Sequence, residues 1–353
     1  MVAYFKLLCL KKSMLVKPKK LEKGDTIAII APSAGLYFPH RLDNAIAFLN
    51  SEGYKVREFP CTRKLNGWES ASAKERAKDI MAAFLDGEVK AIIALFGGTV
   101  AIQTLKYLDF EKIKQNPKIF CGYSDNSILN YAFYTQADLV TFYGPCVATQ
   151  FGEYPRPLEY TLKYFYKALT TSKPIGKVYP SENWTEEFLD WSKKLDLTRP
   201  RELKKNKGFE WLRNGRAQGK IIGGCLESIV HLPGTKYWPD YKDKILFLEI
   251  AEGQKPAEGD PLAYVDFYLE QLNVLGVFSQ IKGLIFGRPY NYTASDIELL
   301  KQKILERTNE YTFPILFGAD IGHTDPQATV PIGIDASMDS KTNTLEFLES
   351  GVK

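Results

Sequence analysis

Three isolated polar residues carry the chemistry this chain can offer. Ser124 sits in Gly122-Tyr123-Ser124-Asp125, behind the apolar run Ile119-Phe120-Cys121 and ahead of Ile128-Leu129-Asn130-Tyr131-Ala132. That order reads as strand, tight turn and helix start, which holds a serine out at a sheet edge beside backbone N–H groups. Glu249 closes the run Ile245-Leu246-Phe247-Leu248, and His323 lies in the loop-like Gly322-His323-Thr324-Asp325-Pro326. In chain order they supply a nucleophile, an acid and a base, the set that acyl transfer needs. Taken alone, Ser124 reads first as a helix N-cap, because the second glycine of G-x-S-x-G is missing. A carboxylate ending an apolar strand is costly unless paired, so Glu249 must face a histidine, a buried arginine or backbone donors.

The elements that must position these residues follow from the apolar pattern. Thr26–Ala31, Ala91–Phe96 and Ile119–Cys121 are continuous apolar runs of strand length, as expected for strands buried on both faces. Helical spacing fills 40–52 and 72–86. The alternation of strand and helix predicts a doubly wound, flavodoxin-like α/β domain over 21–170. In such sheets, sites form at the carboxyl ends of strands. Ala31-Pro32-Ser33, Gly97-Gly98-Thr99 and Gly122-Tyr123-Ser124 should therefore meet in one crevice, with Ser33 a candidate substrate contact. Gly97-Gly98 is either a plain turn or a loop whose backbone approaches an oxyanion.

From Gln218 onward a smaller, mixed α+β domain of swivelling or barrel-like type is expected over 218–353. Its predicted strands are Gly219–Gly224, Ile245–Glu249 and Ile281–Gly287, and its helices Ala263–Leu275 and Ser295–Arg307. Residues 171–217 are rich in Pro, Lys, Trp and Tyr and read as a connector with an excursion. Trp184 and Trp191 are spaced to share a helix face, either to pack on the body or to form a stacking wall for a flat ligand. Arg288, in Gly287-Arg288-Pro289, suits either a substrate carboxylate or a structural ion pair. His40 and His231 read as structural.

Composition narrows the class. The chain has 353 residues, 45% hydrophobic and 25% charged, which fits two globular domains. A net charge of +4, without a basic stripe, gives no argument for nucleic acid. Three histidines and no HExxH motif argue against a metal, and nothing in the sequence calls for a cofactor. The scattered Cys9, Cys61, Cys121, Cys146 and Cys225 form no CxxC pair and fit a reducing, cytoplasmic setting. No apolar run is long enough to cross a membrane. The N-terminal stretch MVAYFKLLCLKKSML is a poor signal peptide, so residues 1–20 are expected to be a tail or misread leader, with Met14 as an alternative start.

Read together, G-D-T-I-A-I-I-A-P-S, the strand-ending G-G, G-Y-S-D, G-K-I-I-G-G, L-P-G-T, I-L-F-L-E, G-R-P and the G-H loop resemble one family. It is the family of serine peptidases that includes the LD-carboxypeptidases and the microcin C immunity peptidases. The similarity runs from about Leu21 to about Ile334. The resemblance implies Ser124 as nucleophile, Glu249 as acid and His323 as base, with oxyanion donors at the backbone N–H groups of Gly98 and Asp125. It also implies a small-peptide or peptidyl-nucleotide substrate and a homodimer. The tryptophan-bearing segment and L-P-G-T-K-Y-W-P are closer to the microcin-immunity branch, in which an aromatic ring stacks on the nucleotide base. Trp184 is the first candidate for that ring and Trp191 the second. The muropeptide branch, releasing terminal D-alanine, stays open, as does a non-catalytic binding protein. Two positions depart from the family pattern. Cys225 stands in Gly223-Gly224-Cys225-Leu226, where members often have asparagine, and Val100 occupies a position often small or polar.

Overall fold

Runs of apolar residues become buried strands, and the amphipathic stretches between them become the covering helices. A computed structural model describes residues 15–255 and 257–353 of the chain. The first half contains β1 (Thr26–Ile30), α1 (Pro39–Ser51), β2 (Lys55–Glu58), α2 (Ala73–Leu85) and β3 (Val89–Ala94). It continues with α3 (Phe110–Gln115), β4 (Ile119–Cys121), α4 (Ser127–Gln136), β5 (Thr141–Tyr143) and α5 (Glu159–Leu169). Next come β6 (Gly176–Val178), β7 (Asn183–Trp184), β8 (Lys204–Lys205), β9 (Glu210–Arg213), β10 (Arg216–Cys225) and the short α6 (Leu226–Ile229). The last part holds β11 (Ile245–Glu249), α7 (Leu262–Val274), β12 (Gly283–Gly287), α8 (Ala294–Arg307), β13 (Ile315–Ala319), β14 (Val330–Ile332), β15 (Asp335–Asp339) and β16 (Thr344–Phe347).

Strands β2-β1-β3-β4-β5 lie side by side and parallel, the flavodoxin-like order, and β14 adds to β5 antiparallel. Every residue of β1 and β4 is buried, as strands covered on both faces require. Helix α2 starts with a capping box in which Ser72 and Glu75 satisfy each other's backbone N–H groups. Buried Arg76 on that helix donates to the carbonyls of Pro32 and Val100, so one guanidinium holds the loops that follow β1 and β3.

The second sheet has the order β6-β16-β15-β10-β11-β12-β13-β9. Its centre, β10 to β13, is parallel, and β15, β16, β6 and β9 are antiparallel additions at its two sides. The segment 171–217 contributes β6 and β9 to this sheet and contains no α-helix. The helix that the tryptophan spacing suggested does not form. Trp184 ends the two-residue strand β7, and Trp191 opens a single tight turn whose N-cap is Asp190.

Residues 1–14 lie outside the described residues, and with them Cys9 and the start at Met14. The described part of the expected tail is tied down. The Val16 amide donates to Asp138 O (2.6 Å), the Val140 amide to Val16 O (3.0 Å), and the Lys20 amide to Lys353 O (3.0 Å). These backbone bonds make 16–20 part of the body rather than a free end. Among the described residues, no helix is long and apolar enough to cross a membrane.

Candidate active site

Ser124 follows β4 in a conformation that its own side chain disfavours. Its φ is +62°, in the left-handed region, which for a non-glycine costs on the order of 1–3 kcal/mol and persists only where neighbours enforce it. The enforcement is visible. Ser127 Oγ donates to Ser124 O (2.7 Å) and accepts from the Cys225 amide (3.0 Å), pinning the elbow to the end of β10. Asn126 Nδ2 donates to Phe96 O (3.0 Å) and Tyr123 O (2.9 Å). Gly97 must be glycine, because a Cβ there would lie 2.6 Å from Ser124 Oγ. Gly98 has φ +135°, and its amide has no acceptor among the described residues. Asp125 is the second residue of the turn Ser124–Asn126, where the first amides of a helical turn lack an internal partner.

Glu249 ends β11 fully buried, and its carboxylate is satisfied from both sides. Oε2 lies 2.7 Å from His323 Nδ1, and Oε1 accepts the Tyr143 hydroxyl. The same Tyr143 oxygen accepts the Ser124 amide (3.1 Å). One phenol thus joins the backbone of the candidate nucleophile to the candidate acid. Gly322, with φ +104°, brings the chain against Glu249, since a Cβ there would collide with the carboxylate. The His323 side chain is only 4% exposed. Burial alone pushes its imidazole down, but Glu249 and then Glu252 outweigh burial and raise it to about 9. Among the described residues, Ser124 and His323 make no direct hydrogen bond. Nε2 instead has Glu252 Oε2 at 3.5 Å, and catalytic hydrogen bonds are often long before substrate arrives.

Cys225 donates its thiol to Glu227 (2.9 Å), whose other oxygen takes the Ala251 amide (2.9 Å). Burial and then Glu249 push Glu227 up to about 7. Among the described residues, Cys225, Glu249 and His323 bring potential ligand atoms within 4.8 Å of one another. The thiol contact to Glu227 and the Glu249–His323 bond already occupy those atoms.

Ser124 and His323 open on a cavity of about 370 Å³ that Gly97 and Gly98 also line. Its aromatic wall is built around Trp191, with Phe38 edge-on at 5.4 Å, Phe188 at 5.7 Å and Phe96 stacked at 6.3 Å. The Arg41 guanidinium sits 4.4 Å from the centre of the Trp191 ring.

Several sequence expectations need correction here. Trp184 is not in the cavity wall, and its ring already carries Arg288 at 4.5 Å and Lys204 at 5.1 Å. Trp191 is the tryptophan that reaches the cavity. Arg288 resolves to its structural reading, because it is buried and donates to Asp320 (2.7 Å) and Thr324 (3.2 Å), behind the His323 loop. Ser33 is fully buried and outside the cavity wall. It donates to the Asp125 carboxylate and accepts the Val100 amide (3.1 Å), so it shapes the Gly97-Gly98 loop rather than meeting a ligand. Burial raises Asp125 above the usual carboxylate range, against the pull of Ser33 and the Ala101 and Val100 amides.

Tyr143, Arg201 and Glu252 were missed. Tyr143 lies in an apolar strand and looks like core, and nothing local marks its hydroxyl as a bridge. A Tyr143→Phe variant should move the His323 titration, followed by NMR, to higher pH. With one donor fewer on the Glu249 anion, the Glu249–His323 pair holds its proton more tightly. An unchanged titration would show that the phenol does not govern the pair.

Comparison with known proteins finds matches over both halves of the chain. Residues 27–144 match the LD-carboxypeptidase N-terminal domain, and residues 218–338 match the LD-carboxypeptidase C-terminal domain. The chain is 33% identical to the Bacillus subtilis protein YocD, named as a carboxypeptidase, over 92% of this chain and 96% of that one. It is 28% identical to the microcin C7 self-immunity protein MccF of Escherichia coli, over 93% and 94% of the two chains. The structure of MccF with glutamyl sulfamoyl guanosine superposes with a TM-score of 0.88 at 27% identity, covering 96% of this chain and 99% of that one. A MccF-like protein from Bacillus anthracis gives a TM-score of 0.85 at 36% identity, covering 94% and 99%. MccF has also been solved with aspartyl sulfamoyl adenosine. With both domain models and full-length relatives in agreement, the chain belongs to the LD-carboxypeptidase family of peptidases.

Proposed function

We propose that this peptidase is a serine-type carboxypeptidase or amidase that hydrolyses aminoacyl or peptidyl nucleotides, in the manner of the microcin-immunity branch. The observation that carries the reading is one cavity walled both by Ser124 with His323 and by the aromatic group around Trp191. In this mechanism Ser124 attacks the carbonyl and His323 Nε2 takes its proton. Glu249 holds the imidazole through Nδ1 and stabilises the imidazolium. The developing oxyanion turns toward the amides of Gly98 and Asp125. The imidazolium gives that proton to the leaving amine as the C–N bond breaks, and water, deprotonated in turn by His323, then releases the acyl group from Ser124. No step calls for a metal or cofactor. The complexes of MccF with aspartyl and glutamyl sulfamoyl nucleosides support a nucleotide-bearing substrate. The matching LD-carboxypeptidase models keep a muropeptide tetrapeptide as the second reading.

We place the protein in the cytoplasm, where the four buried, unpaired thiols Cys61, Cys121, Cys146 and Cys225 would stay reduced. We also assign homodimerisation to α7. Its Val265, Leu269 and Leu272 face the core, while Tyr264, Phe267 and Val274 form an exposed apolar stripe.

Three measurements test these assignments. Ser124→Ala should keep the fold and lose turnover by several orders of magnitude, in an assay offering an aspartyl-amide nucleotide beside a muropeptide tetrapeptide. Wild-type-like hydrolysis by the variant would remove Ser124 as nucleophile. Release of D-alanine alone would move the enzyme to the muropeptide branch, and no Ser124-dependent turnover of any amide would leave a binding protein. Trp191→Ala should weaken the nucleotide substrate by ~1–3 kcal/mol and barely touch the tetrapeptide, whereas Trp184→Ala should not separate them. For the dimer, light scattering should find two copies for wild type and one for Phe267→Glu. A monomeric wild type would sink that assignment.

A further inference from the structure

His323 stands between two carboxylates of different character. Glu249 Oε2, 2.7 Å from Nδ1, is buried and held by Tyr143. Glu252 Oε2, 3.5 Å from Nε2, belongs to a side chain 53% exposed that enters the cavity. Glu252 begins a loop closed by a backbone bridge to Gly259, so its position is set rather than free.

The other charges of the cavity wall are neutralised among themselves. Arg41 meets Asp196 (3.2 Å) and Glu153 (3.4 Å), and His40 also contacts Asp196 (3.0 Å). Arg201 meets Glu153 (2.9 Å) and Asp325 (2.8 Å). Glu187 is held by Arg199 (2.6 Å). Among the described residues, Glu252 has no cationic neighbour except the imidazole itself.

Nε2 is the nitrogen that the Ser124 proton must reach, so the scissile carbonyl has to lie beside it. A group on the α-carbon of the acyl residue is then within reach of a carboxylate next to Nε2. We propose that Glu252 is the subsite for a free α-ammonium group on the residue that carries the scissile carbonyl. The enzyme then favours unblocked aminoacyl amides over N-acylated ones. This deepens, and rests on, the reading of Ser124 as nucleophile and His323 as base.

The proposal also accounts for the base. Without substrate, Glu249, Glu252 and the more distant Glu227 all favour the protonated imidazole, while the Tyr123 ring, edge-on at 4.9 Å, adds no charge. An ammonium group that engages Glu252 removes one of those carboxylates from Nε2. The imidazole is thereby freed to accept the Ser124 proton when the right substrate is bound.

The test compares an aspartyl-amide nucleotide carrying a free α-amine with its N-acetylated counterpart. Wild type should favour the free amine in kcat/KM by about tenfold or more, the range for a hydrogen bond between charged groups. Glu252→Gln should bring the ratio near unity by losing rate on the free amine. It should also move the acid limb of kcat/KM to lower pH, because one carboxylate no longer holds the imidazole proton. Glu252→Lys should reverse the preference. Equal kcat/KM for the two compounds in wild type, or a ratio unchanged in Glu252→Gln, overturns the subsite and leaves the peptidase reading standing. Absence of Ser124-dependent turnover of either compound overturns the subsite together with the nucleotide-substrate reading on which it rests.

Discussion

Glu249 is a fully buried carboxylate where two sheets meet, and a charge there is tolerable only if its oxygens are met by donors. His323 supplies one and Tyr143 the other. These partners come from different parts of the chain, Tyr143 from the first sheet and His323 from the loop after the last parallel strand of the second. Neither sheet alone can satisfy the carboxylate. The requirement couples domain packing to the geometry of the candidate base. The Tyr143 oxygen also takes the Ser124 amide, so the strained elbow joins the same network.

That coupling explains why small residues line the junction. Gly322 is pressed against Glu249, Gly224 against Ser127, and Gly97 against Ser124, and in each case a Cβ would overlap a polar atom of the site. The sheets are also laced together by β14, which leaves the second half of the chain to pair with β5 of the first. The elbow strain is thus sustained by long-range contacts. The bond from Ser127 to the Cys225 amide reaches across 98 residues, and that from Tyr143 to Glu249 across 106. The first sheet separated from the second would keep Ser124 but lose both His323 and the contacts that hold the serine at positive φ.

Features tied to local pattern could be read in advance. Buried parallel strands announce themselves as continuous apolar runs, and an isolated polar residue at the end of such a run marks a strand end in a site. That logic leads to Ser124, to Glu249 and to the Gly97-Gly98 loop. It fails where a residue's meaning depends on distant partners. Ser33, Arg288 and Trp184 look like site residues in one dimension, yet their partners Asp125, Asp320 and Lys204 turn each of them toward structure. Tyr143 fails in the opposite direction, since a tyrosine within an apolar strand looks like packing alone. The segment 171–217 misleads for another reason. A seven-residue spacing implies a shared face only if a helix forms, and Pro180, Pro200 and the Asp190-capped turn break the segment into short pieces.

On the proposed reading, chemistry and selectivity sit on different kinds of scaffold. Ser124, Glu249 and the glycine loop occupy strand ends whose positions the two sheets determine, and His323 is drawn in by the buried carboxylate it must neutralise. Trp191, Arg201 and Glu252 occupy irregular segments between elements, where a substitution disturbs no sheet register. Arg201, and Arg41 on α1, are engaged by carboxylates and cannot offer net positive charge to an anionic ligand without breaking existing pairs. A nucleotide would be gripped mainly by aromatic surface, while the charge at the reacting end is the negative charge of Glu252. A family can hold the first set constant and vary the second. The same strand ends can then serve different amides, with the loop charges beside the imidazole deciding which one brings its base into action.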